Sequence, residues 1–138
     1  MSSTTGSARA STSRSVGPQR IALTRAASEF AQTLAAQLGQ AGDRVVGLDD
    51  HAGTLADVEW RPGDISSPTV VGALDDVDVL VHLAWEPDLT AALTEQPAAR
   101  RRRQIAEARI LTTAAAAAGV SHLVVVTSAM IFGARPDN

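Results

Sequence analysis

The sequence predicts an α/β protein with a doubly wound parallel sheet of about five strands. Short apolar segments alternate with helix-like segments from residue 20 onward. The last apolar segment, LVVVT at 123–127, has no polar alternation, which is typical of a strand buried on both faces of a parallel sheet. With right-handed crossovers, this strand and helix order produces a doubly wound sheet.

Five apolar segments are predicted to form the strands of this sheet. In chain order they are RIALT at 20–24, RVVGLD at 44–49, VEW at 58–60, VDVLVHLA at 77–84 and LVVVT at 123–127.

The segments between the strands carry helix signals. Phe30, Leu34 and Leu38 recur every four residues and should share one face of a helix that ends near Gly39 or Gly42. Ser67 followed by Pro68 is typical of a helix start, with an N-cap residue and proline at the first position. A long alanine-rich helix should carry Ile105 and Leu111 and end at Gly119.

Composition predicts one domain and excludes several functions. The polar segment 1–18 is expected to be a disordered tail, and 19–138 to form the domain. Twelve basic and fifteen acidic residues leave a net charge of −3, which gives no general attraction to nucleic acid or to an anionic membrane. The tail has no apolar core of a secretion signal and no run is long enough to span a bilayer, so a cytoplasmic location is expected.

The chain offers little for metal or thiol chemistry. It has no cysteine, which excludes a disulfide or a thiolate nucleophile. His51, His82 and His122 lack metal-ligand spacing and are interpreted as strand-end or surface residues, so no metal site is expected.

Four short motifs accompany this order of elements: GDI at 63–65, HLAW at 82–85, AAAAAGV before the last strand and TSAMIFG after it. Together with the element order, these motifs resemble the extended short-chain dehydrogenase/reductase family, the NAD-dependent epimerases and dehydratases. The resemblance covers 20–138 and implies that 19–138 is an incomplete NAD(P)-binding Rossmann-type domain. Family members continue past this point, so the resemblance also implies a sheet truncated before the family's catalytic helix.

The resemblance assigns a phosphate-binding turn to 24–31, where the family has TGxxGxxG. All three glycines are replaced, by Arg25, Ser28 and Ala31. A side chain at Arg25 should weaken a turn that requires glycine, although its guanidinium could instead pair with a phosphate. The predicted cofactor contacts in this segment are Thr24, Arg25, Ser28, Glu29 and Phe30.

Further cofactor contacts follow from the same resemblance. Asp49, 24 residues after Arg25, should accept the ribose hydroxyls of NAD and repel the additional phosphate of NADP, or it is a simple loop aspartate. Asp64 should take the adenine amino group and Ile65 should cover the ring, although Asp64 could equally be a turn residue after Gly63. We therefore expect weak binding of NAD, in preference to NADP.

The segment Leu83, Ala84 and Trp85 corresponds to the family's loop along the cofactor ribose and phosphates. Trp85 is better interpreted as a packing or substrate-side residue. Gln104 replaces a family asparagine that braces the active site, which puts that role in doubt.

The resemblance makes Ser128 the hydroxyl that hydrogen-bonds the substrate oxygen. The family also uses a tyrosine acid/base and a lysine that lowers its pKa, and this chain contains neither residue. The chain alone is therefore expected to be inactive, and Ser128 could simply end a strand.

Three functions remain open from the sequence. The chain could be the nucleotide-binding half of an oxidoreductase or epimerase, a degenerate non-catalytic binding module, or an assembly subunit. The run Arg100 to Arg103 lacks interleaved aromatics and is interpreted as the solvated start of a helix rather than a nucleic-acid site. Because LVVVT would be an apolar sheet edge, a homo-oligomer or a missing carboxyl-terminal half is the expected partner.

Overall fold

A computed structural model describes residues 17–84 and 94–127 of the chain. The strands of this part are β1 (Arg20–Thr24), β2 (Arg44–Asp49), β3 (Val58–Pro62), β4 (Val79–Leu83) and β5 (His122–Val126). The helices are α1 (Glu29–Gln40), a 3₁₀ helix (Pro68–Leu74) and α2 (Pro97–Ala118).

The strands form one parallel sheet in the order β3-β2-β1-β4-β5. Ile21 of β1 lies opposite Val45 of β2 on one side and Val79 of β4 on the other. The strand order reverses between β1 and β4, which creates a topological switch point at the carboxyl ends of these strands. The predicted Rossmann-type α/β fold is confirmed.

Helices cover both faces of the sheet because successive strand residues point to opposite sides. On one face, Ala22, Val46 and Leu80 pack with Leu74 of the 3₁₀ helix and Leu111 of α2. Side chains of the second cluster come from the strands and α1, and include Ile21, Leu23, Val45, Val81, Ala31 and Ala35. Each fully buried leucine contributes on the order of 2 kcal/mol to this core.

The inward face of α1 differs from the predicted one. Ala31 and Ala35 are buried, Leu34 and Leu38 lie beside them, and Phe30 is 49% exposed. Ala31 and Ala35, rather than Phe30, therefore form the buried part of this helix face. The spacing of Phe30, Leu34 and Leu38 therefore did not identify the residues of α1 that are most buried.

The last strand is less buried than its uninterrupted apolar pattern predicted, and it lies at the sheet edge that was expected for LVVVT. Leu123, Val124 and Val125 are 37%, 45% and 53% exposed. In the described part of the chain β5 is the outer strand of the sheet and pairs only with β4. Its aliphatic sequence resembles that of an interior strand, but its position leaves it at an edge.

Local signals set the helix ends. Ser67 caps the helix that begins at Pro68, although this helix is a seven-residue 3₁₀ helix. Gly119 ends α2 in the left-handed conformation with φ 76°, and its N–H contacts the carbonyls of Ala115 and Ala116. Neither α1 nor α2 combines the length and hydrophobicity that a bilayer span requires, and the same holds for every helix within the described ranges.

Candidate functional site

A cavity of about 450 Å³ opens at the carboxyl edge of the sheet. Its walls come from the ends of β1, β2 and β3 and from one residue of α2. The residues that line it are Arg25, Leu48, Asp49, Asp50, Gly63, Asp64, Ile65 and Glu107. Four sequence-predicted cofactor residues, Arg25, Asp49, Asp64 and Ile65, are thereby brought together.

Thr24, the last residue of β1, is completely buried and joins β1 to β4. Its hydroxyl oxygen accepts a 2.9 Å hydrogen bond from the Leu83 N–H and lies 3.0 Å from His82 Nδ1. Burial, and then the nearby Arg25 charge, lower the pKa of His82. The imidazole is therefore neutral, and Nδ1 can accept a hydrogen bond from the Thr24 hydroxyl.

Arg25 adopts a left-handed conformation, with φ 51°, at the first position of the turn. This conformation favours glycine, so the arginine side chain is accommodated at an energetic cost of order 1–2 kcal/mol. Its guanidinium donates to the Leu83 carbonyl at 2.8 Å and to Glu107 Oε2 at 2.9 Å. The left-handed conformation agrees with the interpretation that a side chain at this position weakens the turn. The guanidinium, which could instead have paired with a phosphate, is paired with the carboxylate of Glu107.

Glu107 is a site residue that the sequence analysis missed. Its side chain is 6% exposed, and its second oxygen lies 3.2 Å from Arg103 Nη1. The pattern of α2 contained a signal, because Glu107, Leu111 and Ala114 lie four and three residues apart and share the buried face. A carboxylate on an otherwise apolar helix face indicates a buried ion pair.

The backbone N–H groups of the turn between β1 and α1 make hydrogen bonds within the protein. The N–H groups of Ala26, Ala27 and Ser28 bond to Leu48 O, Asp49 Oδ2 and Arg25 O. Ser28 is the N-cap of α1 and its hydroxyl accepts the Ala31 N–H at 3.3 Å.

Two further predicted contacts, Glu29 and Phe30, lie in the first turn of α1. Both are exposed. They do not line the cavity, so the structure separates them from Asp49, Asp64 and Ile65.

Asp49 links the end of β2 to the turn. Its Oδ2 accepts the Ala27 N–H at 2.9 Å and its Oδ1 accepts the Asp50 N–H at 2.8 Å. The carboxylate is only partly buried and lines the cavity, so it holds the turn and still faces the cavity. The structural and the ligand-binding interpretations of Asp49 are therefore compatible.

Asp64 and Ile65 follow β3 on the far wall of the cavity. Asp64 Oδ1 accepts hydrogen bonds from the hydroxyl and the N–H of Ser66, and these bonds lower the pKa of Asp64. Both bonds use the same oxygen, so within the described residues Oδ2 makes no hydrogen bond. Asp64 thus forms the expected turn after Gly63 and keeps an acceptor for a ligand.

The remaining predicted contacts follow β4. Leu83 is buried, and its carbonyl accepts from Arg25. The Ala84 N–H donates to Val126 O at 2.8 Å. Trp85 and Ser128 lie outside the described residues.

Two of the four arginines at the start of α2, Arg100 and Arg103, lie beside carboxylates. Arg103 contacts both Glu95, at 2.7 Å, and Glu107, and the hydrogen bonds to Glu95 raise the pKa of Arg103. Arg100 Nε lies 3.7 Å from Glu95. Arg101 and Arg102 are exposed.

His51 is a surface residue at the end of β2. It hydrogen-bonds Asp50, which raises the pKa of the histidine and lowers the pKa of the aspartate. Its side chain is 71% exposed, as predicted for a surface residue.

Comparison with solved structures finds similar folds in proteins that were solved with bound NAD. The chain superposes on MoeE5, solved with UDP-glucose and NAD, with a TM-score of 0.71 and 26% identity over 85% of this chain. The predicted resemblance to the extended short-chain dehydrogenase/reductases is confirmed. A short-chain dehydrogenase/reductase superfamily protein from Agrobacterium tumefaciens with bound NAD gives a TM-score of 0.68 and 26% identity over 86% of the chain. A UDP-galactose 4-epimerase gives 0.67 at 22% identity over 85%, which supports the fold.

The chain spans 39%, 36% and 41% of these three structures. It therefore corresponds to one part of the dehydrogenase/reductase fold, the amino-terminal Rossmann part. No family model matches the sequence, and no curated protein matches it either.

Proposed function

We propose that the chain is the nucleotide-binding module of an extended short-chain dehydrogenase/reductase-type protein and binds the adenosine half of an NAD-type cofactor. The observation that carries this proposal is the cavity that unites Asp49, Asp64 and Ile65 at the ends of β2 and β3. Ligands of doubly wound sheets bind at this edge. The volume, about 450 Å³, falls within the range of roughly 300–1,000 Å³ common for small-molecule sites.

The residues present fit an adenosine group. Asp49 can accept hydrogen bonds from the ribose hydroxyls, and Asp64 Oδ2 can accept one from the adenine amino group. Ile65 supplies an apolar surface for the base. A carboxylate at Asp49 repels the additional phosphate of NADP, so NAD is the preferred form.

The bound cofactor would supply hydride transfer in a complete enzyme of this type. The 138 residues contain no tyrosine or lysine, so the proton transfer typical of the family has no acid/base here. Ser128 remains the candidate for holding a substrate oxygen. We expect no turnover from the chain by itself.

A non-catalytic binding or assembly module is the second candidate. It is favoured by the replacement of the turn glycines and by the pairing of Arg25 with Glu107. Weak NAD binding is expected under either function, because the turn departs from the pattern that contacts the diphosphate.

Calorimetric titration with NAD and NADP tests the proposal. Asp49→Asn keeps an oxygen for the Ala27 N–H but removes the charge, and should weaken NAD binding about tenfold, the size of one charge-assisted hydrogen bond. The same variant should reduce the preference for NAD over NADP. Asp57→Asn makes the same charge change at an exposed position outside the cavity and should leave both affinities unchanged.

The proposal fails if the unmodified chain binds neither dinucleotide. It also fails if Asp49→Asn and Asp57→Asn have equal effects, because binding would then depend on net charge alone.

A further inference from the structure

The Arg25–Glu107 ion pair lies across the switch point of the sheet. Arg25 directly follows β1, its guanidinium bonds the carbonyl at the end of β4, and Glu107 reaches the same place from α2. In a Rossmann-type site the cofactor's diphosphate crosses this region, at the turn that leads into the first helix. The protein therefore places its own carboxylate on the cation where a ligand phosphate would bind.

The pair is mostly shielded from water. The side chains of Arg25 and Glu107 are 14% and 6% exposed. Arg103 holds the other carboxylate oxygen of Glu107, and Glu95 holds Arg103 in turn. A phosphate that binds Arg25 must therefore share its guanidinium with a buried carboxylate that is bonded at both oxygens and that repels the added negative charge.

Because Arg25 is paired with Glu107, a phosphate at the turn would depend on the backbone N–H groups. Its N–H groups at Ala26, Ala27 and Ser28 are already bonded within the protein. Ser28 also satisfies the Ala31 N–H with its hydroxyl. The N–H groups of Ala26, Ala27, Ser28 and Ala31 are thus already used and would have to exchange partners to contact a diphosphate.

The charge of the cavity wall also disfavours phosphate. Four carboxylates line the cavity, those of Asp49, Asp50, Asp64 and Glu107. Arg25 is the one cation among the described lining residues, and it is paired. Hydroxyl and amino groups of a nucleoside suit these acceptors, whereas a diphosphate is repelled by them.

We propose that the Arg25–Glu107 pair closes the diphosphate region of the site, so that the cavity selects adenine nucleosides over nucleotides. This inference rests on the proposed function, because it assumes that adenosine occupies the cavity beside Asp49 and Asp64. NAD then binds through its adenosine half alone, and its phosphates add no affinity.

Titration of the full chain with adenosine, ADP and NAD tests the inference. The unmodified chain should bind adenosine at least as tightly as ADP or NAD. Glu107→Gln removes the negative charge that competes for the Arg25 guanidinium, and should shift the adenosine-to-ADP preference about tenfold toward ADP, as expected for a new charge-assisted contact. The double variant Arg25→Gly/Glu107→Ala opens the turn and should shift the preference toward ADP and NAD as well.

A matched control changes an ion pair away from the cavity. Glu59→Gln removes a carboxylate that pairs with Arg20 at the start of β1, the opposite end of the strand. It should leave the ligand preference unchanged, and thermal unfolding of every variant verifies that each is folded.

The outcomes separate the two proposals. Tighter binding of ADP and NAD than of adenosine by the unmodified chain, or an unchanged preference in both Glu107 variants, overturns the inference but retains the proposed function. Binding of NAD by the double variant and of no ligand by the unmodified chain overturns both proposals, because the unmodified cavity would then hold no adenosine. If neither the chain nor any variant binds any of the three ligands, both proposals are wrong.

Discussion

His82 shows how a single buried residue depends on its surroundings. Its ring lies under the carboxyl edge of the sheet, with the Thr24 hydroxyl at Nδ1 and the charges of Arg25 and Glu107 nearby. Burial and the Arg25 charge lower the pKa of His82, while Glu107 acts in the opposite direction. Its neutral form is thus part of the folded structure.

This arrangement predicts an acid-side loss of stability. The pKa of His82 is lower in the folded chain than its ordinary value, 6.5, so the unfolded chain binds the proton more readily. The contribution of neutral His82 is complete above that ordinary value and is lost as the pH falls below it. Urea unfolding at about pH 7.5 and about pH 5.5 measures the difference.

Two histidine variants test whether His82 causes this loss of stability at low pH. His82→Asn removes the titrating ring and should reduce the loss on acidification, even if it lowers stability at both pH values. His122→Asn changes an exposed histidine at the start of β5 and should retain the full loss. An equal loss in all three proteins would contradict the assignment to His82.

The sequence predicted that Arg25, Asp49, Asp64 and Ile65 belong to one site, but it did not predict the contact of Arg25 with Glu107. Asp49 and Asp64 follow adjacent strands, so the topology brings them to one edge. The bond of Arg25 to Glu107 spans 82 positions and depends on how α2 packs against β1 and β4. A local sequence pattern cannot indicate a contact between residues that are so far apart in the chain.

At the scale of elements, helix and strand ends were predictable because their signals are local. β1 and β2 have the predicted bounds, and α2 ends before Gly119 as its conformation requires. The burial of each element was less predictable. The inward face of α1 and the exposure of β5 depend on helix-to-sheet distance and on position in the sheet, which the segments themselves do not encode.

The exposed strand β5 leads us to propose self-association. Leu123, Val124 and Val125 are exposed, and within the described residues the outer side of β5 has no partner strand. Unpaired backbone groups beside aliphatic side chains favour pairing with another strand. Val125→Lys places a charge at the most exposed of these positions and should shift the chain toward the monomer.

Light scattering coupled to size-exclusion chromatography measures this shift. Ala116→Lys, which places the same charge at an exposed position of α2, is the control and should leave association unchanged. A sharp monomer peak for the unmodified chain at every concentration would contradict the edge argument.

For the whole molecule, the alternation of strand and helix segments was sufficient to predict the doubly wound sheet. The strand order β3-β2-β1-β4-β5 then fixes one edge where strand ends and a switch point coincide. The central claim is that this edge binds the adenosine half of a nucleotide, at Asp49, Asp64 and Ile65. Another cavity, which is mainly apolar, lies between the 3₁₀ helix and α2 and is lined by residues that include Val71 and Ile110.

Amide NMR spectra of the isotope-labelled chain during titration with NAD test this claim most directly. Because the ligand would contact the ends of β2 and β3, the account predicts saturable shifts for the amides of Asp49, Asp64 and Ile65, with Val71 and Ile110 unchanged. Shifts confined to Val71 and Ile110, or no saturable shift at any amide, would contradict it.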